Sequence, residues 1–179
     1  MSKQTEIRLT GSGGQGIILA GIILAEAAIG EGNNAIQSQS YGPEARGGAS
    51  KAEVIISSNE IHFPKVQEPN YLLALTQVAA DKYLAEVNEE CVVIVDSAIN
   101  VPSTVKAKKI ISIPILKTAA EDVGKSIVGN IVAVGAITEI TGVVSRAAVE
   151  TALLNRVPKG TEDLNKTALE AGYKLALNR

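Results

Sequence analysis

A glycine-rich turn between an apolar strand and an apolar helix constrains the fold of this chain more than any other feature of its sequence. The segment Ile7–Thr10 predicts a short β-strand, and Gly11-Ser12-Gly13-Gly14-Gln15-Gly16 follows it directly. The next segment, Ile17–Ile29, is apolar on nearly every side and predicts a buried helix. Strand, glycine turn and buried helix in that order are typical of the opening of an α/β domain.

The spacing of Gly11, Gly13 and Gly16 matches the dinucleotide-binding fingerprint, in the strand-to-helix context that this fingerprint requires. Glycines let the backbone approach a phosphate closely, and the free N–H groups and the dipole of the first helical turn stabilise its negative charge. Gly14 lies in the same turn, and Gln15 adds an amide donor there. The sequence therefore predicts an anion-binding site at these five residues and a Rossmann-like opening to the fold.

Two other interpretations of the turn remain open. An NAD-binding protein of this type carries an acidic residue about 20 positions further on, at the end of the second strand. The corresponding segment, Ile36–Ser40, contains no carboxylate, which argues against a free-standing dinucleotide-binding protein. In the other interpretation the glycines only permit a tight turn and close packing of the helix on the strand, and the turn binds nothing.

Strand and helix patterns alternate along the rest of the chain, which predicts one domain over residues 1–179 with three α/β/α layers and a mainly parallel sheet. The segment Lys51–Ser57 alternates in polarity, and Ile61–Phe63 is its predicted partner in an antiparallel hairpin at the sheet edge. Capping residues predict helices that begin near Thr118, Ser145 and Thr161. The other predicted strands are Ala35–Ser40, Tyr71–Leu75, Cys91–Val95 and Ile110–Ile113, and the other predicted helices are Val78–Val87 and Ile131–Thr141.

The segment 41–50, with the sequence YGPEARGGAS, holds three glycines and a proline and predicts a loop. Glu44 and Arg46 place opposite charges among its small residues. One interpretation is a solvated turn with a surface ion pair, which contributes about 0–1 kcal/mol. The other is a loop that docks on a partner or ligand, in which Arg46 pairs with a phosphate or carboxylate. Taken without a resemblance, the residues favour the solvated turn.

Charge and composition exclude several classes of function. With 17 basic and 19 acidic residues and 3% aromatic residues, the chain lacks the basic surface and the stacking side chains of a nucleic-acid-binding protein. The longest apolar run, Ile17–Ala25, is shorter than a membrane span, and the amino-terminal segment has no signal-peptide core. We therefore expect a cytoplasmic chain that binds neither nucleic acid nor membrane.

The scarcity of cysteine and histidine argues against a metal centre. The sequence contains one Cys, Cys91, and one His, His62, which cannot supply the ligands of a usual zinc site or an iron–sulfur cluster. We expect Cys91 in the core and His62 on an edge strand. Asp96 follows a predicted buried strand, where it either caps a turn or lies at a ligand site. No set of catalytic residues is evident, so none is predicted.

Several blocks of the sequence resemble a known family. They are residues 11–25 with the glycine turn, the block Gln39–Gly48, the segment Ala52–Val54, and Asn130 with the apolar residues after it. Together they resemble the gamma subunits of 2-oxoacid:ferredoxin oxidoreductases, and above all the separate gamma chain of the 2-oxoglutarate type. The similarity covers nearly the whole chain, and Tyr-Gly-Pro-Glu-Ala-Arg-Gly-Gly at 41–48 is its most specific part.

The resemblance implies a non-catalytic subunit of a larger complex. Members of the family decarboxylate a 2-oxoacid on thiamine diphosphate, pass two electrons through iron–sulfur clusters to ferredoxin, and transfer the acyl group to coenzyme A. The resemblance places thiamine diphosphate on the alpha and beta chains, the clusters on the beta and ferredoxin-like delta chains, and an association with coenzyme A on the gamma chain. It also favours the docking interpretation of the loop, at Tyr41, Glu44, Arg46, Gly47 and Gly48.

Overall fold

A six-stranded sheet forms the centre of the molecule in the computed structural model, which describes residues 4–40 and 48–178. The strand order is β2-β3-β1-β4-β5-β6. The strands are β1 (Thr5–Ser12), β2 (Asn34–Ser40), β3 (Ala49–Ser57), β4 (Tyr71–Ala74), β5 (Val92–Asp96) and β6 (Lys109–Ile113). The helices are α1 (Ile17–Gly30), α2 (Gln77–Tyr83), α3 (Ile115–Glu121), α4 (Gly129–Thr141), α5 (Arg146–Leu154) and α6 (Glu162–Leu177).

The pairing of the strands is parallel from β1 through β4 and β5 to β6. On the other side of β1, β3 pairs antiparallel, with Arg8 opposite Glu53. β2 pairs antiparallel with β3, with Ile36 opposite Ile55, so β2 runs in the same direction as β1. The predicted α/β class with a mainly parallel sheet and an antiparallel pair at its edge is confirmed.

The predicted strand at Ile61–Phe63 is wrong. These residues form no strand, and β3 pairs with β2 on one side and with β1 on the other. Because both edges of β3 are already hydrogen-bonded, a third strand cannot pair with it. His62 is exposed outside the sheet, so its predicted place on an edge strand is wrong as well.

Helices cover both faces of the sheet, because the side chains of each central strand point alternately to opposite faces. Leu73 and Ile94 belong to a large apolar cluster with α1, α4, α5 and α6. Their neighbours Leu72 and Val93 belong to a second cluster with α2. The three predicted layers therefore arise from strands that are apolar on both faces, as expected for the parallel part of a sheet.

Of the three predicted capping residues, the structure confirms Ser145 and corrects Thr118 and Thr161. α3 begins at Ile115, and Thr118 lies buried within it rather than capping it. The Ser145 hydroxyl accepts a hydrogen bond from Ala148 N at 3.2 Å and caps α5, as predicted. Thr161 does precede α6, but its hydroxyl donates to Pro158 O at 2.7 Å and makes no capping bond. Among the described residues, no helix combines the length and the apolar character that crossing a bilayer requires.

Candidate functional site

The glycine turn lies where the direction of the chain connections reverses. From β1 the chain passes through α1 to β2, and from the neighbouring parallel strand β4 it passes through α2 to β5, on the opposite side. In open α/β sheets, ligands bind at such a switch point, outside the carboxyl ends of the strands. The turn after β1 and the residues after β4 therefore form the expected place for a ligand.

The first half of the turn is stabilised by Gln15. Its Oε1 accepts a hydrogen bond from Ser12 N at 2.7 Å, and its own N–H donates to Ser12 O at 3.2 Å. A Cβ at Gly11 would lie 2.6 Å from that Oε1 and 3.0 Å from Ile17 Cγ1. A side chain at residue 11 would therefore displace the Gln15 carboxamide from its hydrogen bond with Ser12 N.

The second half of the turn packs against the start of α4. Gly16 has a φ of +73° and precedes α1, and its carbonyl accepts a hydrogen bond from Asn130 Nδ2 at 3.2 Å. A Cβ at Gly16 would overlap the Asn130 side chain. Gly14 differs from both, since its φ is +91° and a Cβ there would meet no atom of the described residues within 4 Å. Close packing therefore explains Gly11 and Gly16, whereas no described residue packs against Gly14.

The amino-terminal end of α1 has no capping side chain and no acidic residue in its first turn, among the residues that the structure describes. The first-turn N–H groups and the helix dipole are therefore favourable to an anion. Gly13 N is not among the free donors, because it donates to Gly48 O at 3.2 Å. Gln15 N is not free either, because it donates to Ser12 O. The donors that can face an anion here are therefore Gly14 N and the N–H groups from Gly16 onward, together with the Gln15 carboxamide.

The Gly13–Gly48 hydrogen bond also brings two parts of the sequence together. β2 ends at Ser40 and β3 begins at Ala49, so both ends of the intervening segment lie at the carboxyl edge of the sheet. Gly48 is buried beside the glycine turn. The predicted loop residues Tyr41, Glu44, Arg46 and Gly47 lie outside the described residues.

A crevice of about 210 Å³ opens at the switch point. Gly14 and Gln15 form one wall, and the others are formed by the residue after β4, by α3 and α4, and by the segment before α4. Those further lining residues are Leu75, Leu116, Ser126, Ile127 and Asn130. Ile127 is 83% exposed, the largest exposure among the large apolar side chains described. Sequence reasoning missed these residues as a site, because they approach the turn only in the folded chain.

A larger groove of about 680 Å³ lies at the other end of the strands, where their amino termini are. Thr5, Tyr71 and Val92, which are the first residues of β1, β4 and β5, line it together with polar side chains such as Asn70. It lies at the amino ends of the strands, whereas ligand sites of open α/β sheets lie at the carboxyl ends. The crevice at the switch point is therefore the better candidate.

The remaining candidate residues have structural roles. Asp96 accepts hydrogen bonds from Ala98 N at 3.0 Å and Leu116 N at 2.8 Å, so it caps a turn and the start of α3. Cys91 is buried, and its burial raises the pKa of the thiol to about 11, which keeps it protonated and unreactive. In the described part of the chain, no group of three or more His, Cys, Asp or Glu side chains could hold a metal ion.

Comparison with known proteins identifies the family to which this chain is similar. The family model for pyruvate ferredoxin/flavodoxin oxidoreductase matches residues 6–175. The chain is 49% identical to the 2-oxoglutarate synthase subunit KorC of Methanocaldococcus jannaschii, over 96% of this chain and 93% of that protein. The resemblance inferred from the glycine turn and the loop is confirmed.

Two solved structures extend the comparison. The gamma subunit of a keto/oxoacid ferredoxin oxidoreductase from Geobacter sulfurreducens superposes with a TM-score of 0.88 at 49% identity, over 98% of both chains. A 2-oxoglutarate:ferredoxin oxidoreductase from Magnetococcus marinus has the same fold over 99% of this chain and 32% of its own, with a TM-score of 0.87 at 21% identity. The chain therefore belongs to the pyruvate ferredoxin/flavodoxin oxidoreductase family, as a component of the gamma-subunit type.

Proposed function

We propose that this chain is the gamma subunit of a 2-oxoglutarate:ferredoxin oxidoreductase and that it contributes to coenzyme A binding at the switch point. The complex would oxidatively decarboxylate the 2-oxoacid to its acyl-coenzyme A and reduce ferredoxin. We choose 2-oxoglutarate as the substrate because the chain is 49% identical to the 2-oxoglutarate synthase subunit KorC over nearly the full length of both chains. In this proposal the chain works in the cytoplasm and carries none of the redox chemistry itself.

The residues of this chain do not fit the redox cofactors of such a complex. An iron–sulfur cluster is usually held by four cysteine thiolates, and this sequence has one cysteine, which is buried. The clusters are therefore assigned to partner subunits, of alpha, beta and delta type, and the resemblance to the family assigns thiamine diphosphate to partner subunits as well. Electrons would reach ferredoxin through those partners.

Coenzyme A suits the switch point because it carries several phosphates and a long neutral arm. The uncapped start of α1 favours a phosphate, and Gly14 leaves its approach open. NAD is a weaker candidate, because β2 (Asn34–Ser40) offers no carboxylate for the ribose hydroxyls. A purely structural turn accounts for the packing at Gly11 and Gly16 and for the positive φ of Gly14, but it gives no reason why the described residues leave the space in front of Gly14 unfilled.

The loop at 41–48 is proposed as a contact with a partner subunit. Ser40 and Gly48, the described residues on either side of 41–47, lie at the same carboxyl edge of the sheet as the crevice. The described ends of the loop therefore lie at the same edge of the sheet as the proposed coenzyme A site, and the proposed contact residues are Tyr41, Glu44, Arg46 and Gly47. Tyr and Arg are also the residue types that most often dominate the energy of protein interfaces.

The test of the coenzyme A role uses two matched glycine substitutions in the purified complex. Gly14→Val and Gly160→Val place the same side chain at a φ of +91° and +87°, each with no atom of the described part of the chain within 4 Å of the new Cβ. Both variants therefore carry similar backbone strain, of about 1–2 kcal/mol or somewhat more for a β-branched residue. Only Gly14→Val fills the approach to the turn.

We expect Gly14→Val to raise the KM for coenzyme A at least about tenfold, equivalent to ~1.4 kcal/mol, and Gly160→Val to leave it unchanged. The assay measures reduction of a dye by the complex with 2-oxoglutarate, and separately with pyruvate and with ketoisovalerate as alternative substrates. Equal KM values for coenzyme A in both variants would show that the turn is structural only. Faster turnover with pyruvate or ketoisovalerate would show that the complex has another substrate.

A further inference from the structure

The carboxamide of Gln15 has an orientation that its backbone partner determines. Ser12 N–H can only donate, so the atom 2.7 Å from it is the acceptor, Oε1. The space that Oε1 occupies exists because residue 11 is glycine. The other end of the amide, Nε2, has no hydrogen-bond partner among the described residues, and Gln15 lines the crevice. Gln15 therefore presents a donor there.

Asn130 has the complementary arrangement. The Gly16 carbonyl can only accept, so the atom 3.2 Å from it is the donor, Nδ2. The acceptor, Oδ1, has no partner in the described part of the chain, although Asn130 is only 7% exposed and lines the same crevice. In the described chain, the fully buried side-chain oxygens without a partner are Thr138 Oγ1 and Tyr173 Oη, so Asn130 Oδ1 reaches solvent. It is therefore an acceptor that a ligand at the crevice wall can use.

The crevice between the two amides suits a narrow, partly apolar group. Leu75, Leu116 and Ile127 supply apolar walls, and the volume of about 210 Å³ is below the roughly 300–1,000 Å³ of a site that encloses a whole drug-sized ligand. A group that fits must be extended, must accept one hydrogen bond from Gln15, and must donate one to Asn130. A secondary amide within a flexible chain has this combination.

We propose that Gln15 and Asn130 form an amide-recognising pair and that its ligand is an amide of the pantetheine arm of coenzyme A. The arm is an extended chain with two secondary amides, whereas the nucleotide end is wide and charged. The proposal rests on the proposed function, and it adds which part of coenzyme A enters the crevice. The phosphates would then lie outside it, at the uncapped start of α1.

The experiment compares two ligands and two pairs of variants in the purified complex. The ligands are coenzyme A and adenosine 3′,5′-bisphosphate, which lacks the pantetheine arm. Asn130→Ala removes the free acceptor, and the Gly16 carbonyl keeps its hydrogen bond from Ala20 N. Asn165→Ala is its control, since Asn165 is 6% exposed and also donates from Nδ2 to a backbone carbonyl, Thr161 O.

Gln15→Glu tests the donor without disturbing the turn, because a carboxylate oxygen still accepts from Ser12 N. Gln77→Glu is its control, since Gln77 Oε1 likewise accepts from a backbone N–H, that of Asn100, at 2.9 Å. It is the more severe change, because Gln77 Nε2 also donates to Asp81 Oδ1 and Asn100 O. Calorimetric titration measures the affinity of each complex for both ligands. Melting temperatures of the variants verify that they are folded.

We expect Asn130→Ala to weaken coenzyme A binding about tenfold while the affinity for adenosine bisphosphate stays within twofold of wild type. Gln15→Glu should weaken coenzyme A binding to a similar or greater extent, and both controls should bind normally. An equal loss for both ligands in Asn130→Ala, or no loss in either test variant, overturns the proposal.

Two other outcomes separate this inference from the proposed function. A folded Asn130→Ala chain that no longer assembles would overturn the inference, because the crevice would then hold the backbone of a partner subunit. A wild-type complex that binds no coenzyme A would overturn the proposed function itself. Normal binding by wild type with unchanged variants would overturn only the amide-recognising pair.

Discussion

The buried ion pair between β1 and β3 permits a quantitative prediction of stability. Arg8 is 4% exposed and Glu53 is 6% exposed, and they lie directly opposite each other on the paired strands. Arg8 Nε donates to Glu53 Oε1 at 2.8 Å, and its NH1 donates to Glu86 Oε2 at 2.6 Å. Glu53 Oε1 also accepts from Lys51 Nζ at 3.0 Å. Because Glu86 lies after α2, the network connects that segment to the sheet.

We expect Glu53→Leu to destabilise the isolated chain by about 3 kcal/mol, the lower end of the ~3–5 kcal/mol that follows the loss of one partner of a buried pair. The lower end applies because Arg8 keeps Glu86, whose side chain is 48% exposed. For a chain of this size, 3 kcal/mol corresponds to a fall in Tm of roughly 6–12 °C. The double variant Arg8→Met/Glu53→Leu should recover most of the loss, since apolar replacements of a whole buried pair are often neutral.

Urea denaturation gives the free energy of unfolding of the wild type, both single variants and the double variant, and these four values form a double-mutant cycle. Lys117→Met is the control, because Lys117 lies 3.8 Å from Glu121 with both side chains mostly exposed. That substitution should change stability by less than about 1 kcal/mol. A Glu53→Leu loss as small as that of the control, or a double variant as unstable as the sum of its singles, would refute the reasoning.

Three further predictions concern activity, assembly and reactivity. The isolated chain should show no 2-oxoacid-dependent reduction of ferredoxin or viologen dye, and substrate-dependent reduction by it without cofactors would contradict the assignment of the redox centres to partner subunits. Arg46→Ala should leave the Tm of the isolated chain nearly unchanged and weaken its binding to the partner subunits, measured by co-purification, by the ~2–5 kcal/mol typical of a buried interfacial charge. Assembly with wild-type affinity would favour the interpretation of 41–50 as a solvated turn. Cys91 should resist alkylation in the native chain at pH 8. Burial raises the pKa of Cys91 from 9.0 to about 11, so the unfolded chain loses this proton at a lower pH than the folded chain does. The free energy of unfolding, relative to that of Cys91→Ala, should therefore fall between pH 9 and 11. A difference between the two free energies that does not change with pH would contradict the burial of the thiol.

The sequence alone determined the elements whose signal is local. The strand, turn and helix that open the chain appear as predicted, with β1 and α1 joined by the glycine turn. α4 and α5 also follow their apolar pattern and, for α5, the capping Ser145. These elements could be predicted because strand alternation, helical periodicity and capping each involve residues within a few positions of one another.

The site could be predicted only in part, for the same reason. The glycines and Gln15 were identifiable from their spacing, since the turn that they form is contiguous. Asn130 carries no such signal, because it meets Gly16 across 114 positions of sequence. Ile127 and Leu116 likewise approach the turn only because α3 and α4 pack beside it.

Only the tertiary structure decided which strand pairs with β3. Its alternating pattern is compatible with a short hairpin to Ile61–Phe63, but the folded chain places β3 between β2 and β1, with Glu53 buried against Arg8. A strand's own residues show which face is apolar and do not show which neighbour will satisfy its N–H and C=O groups. That choice depends on the burial gained by the whole sheet, and this burial exists only after distant segments have come together.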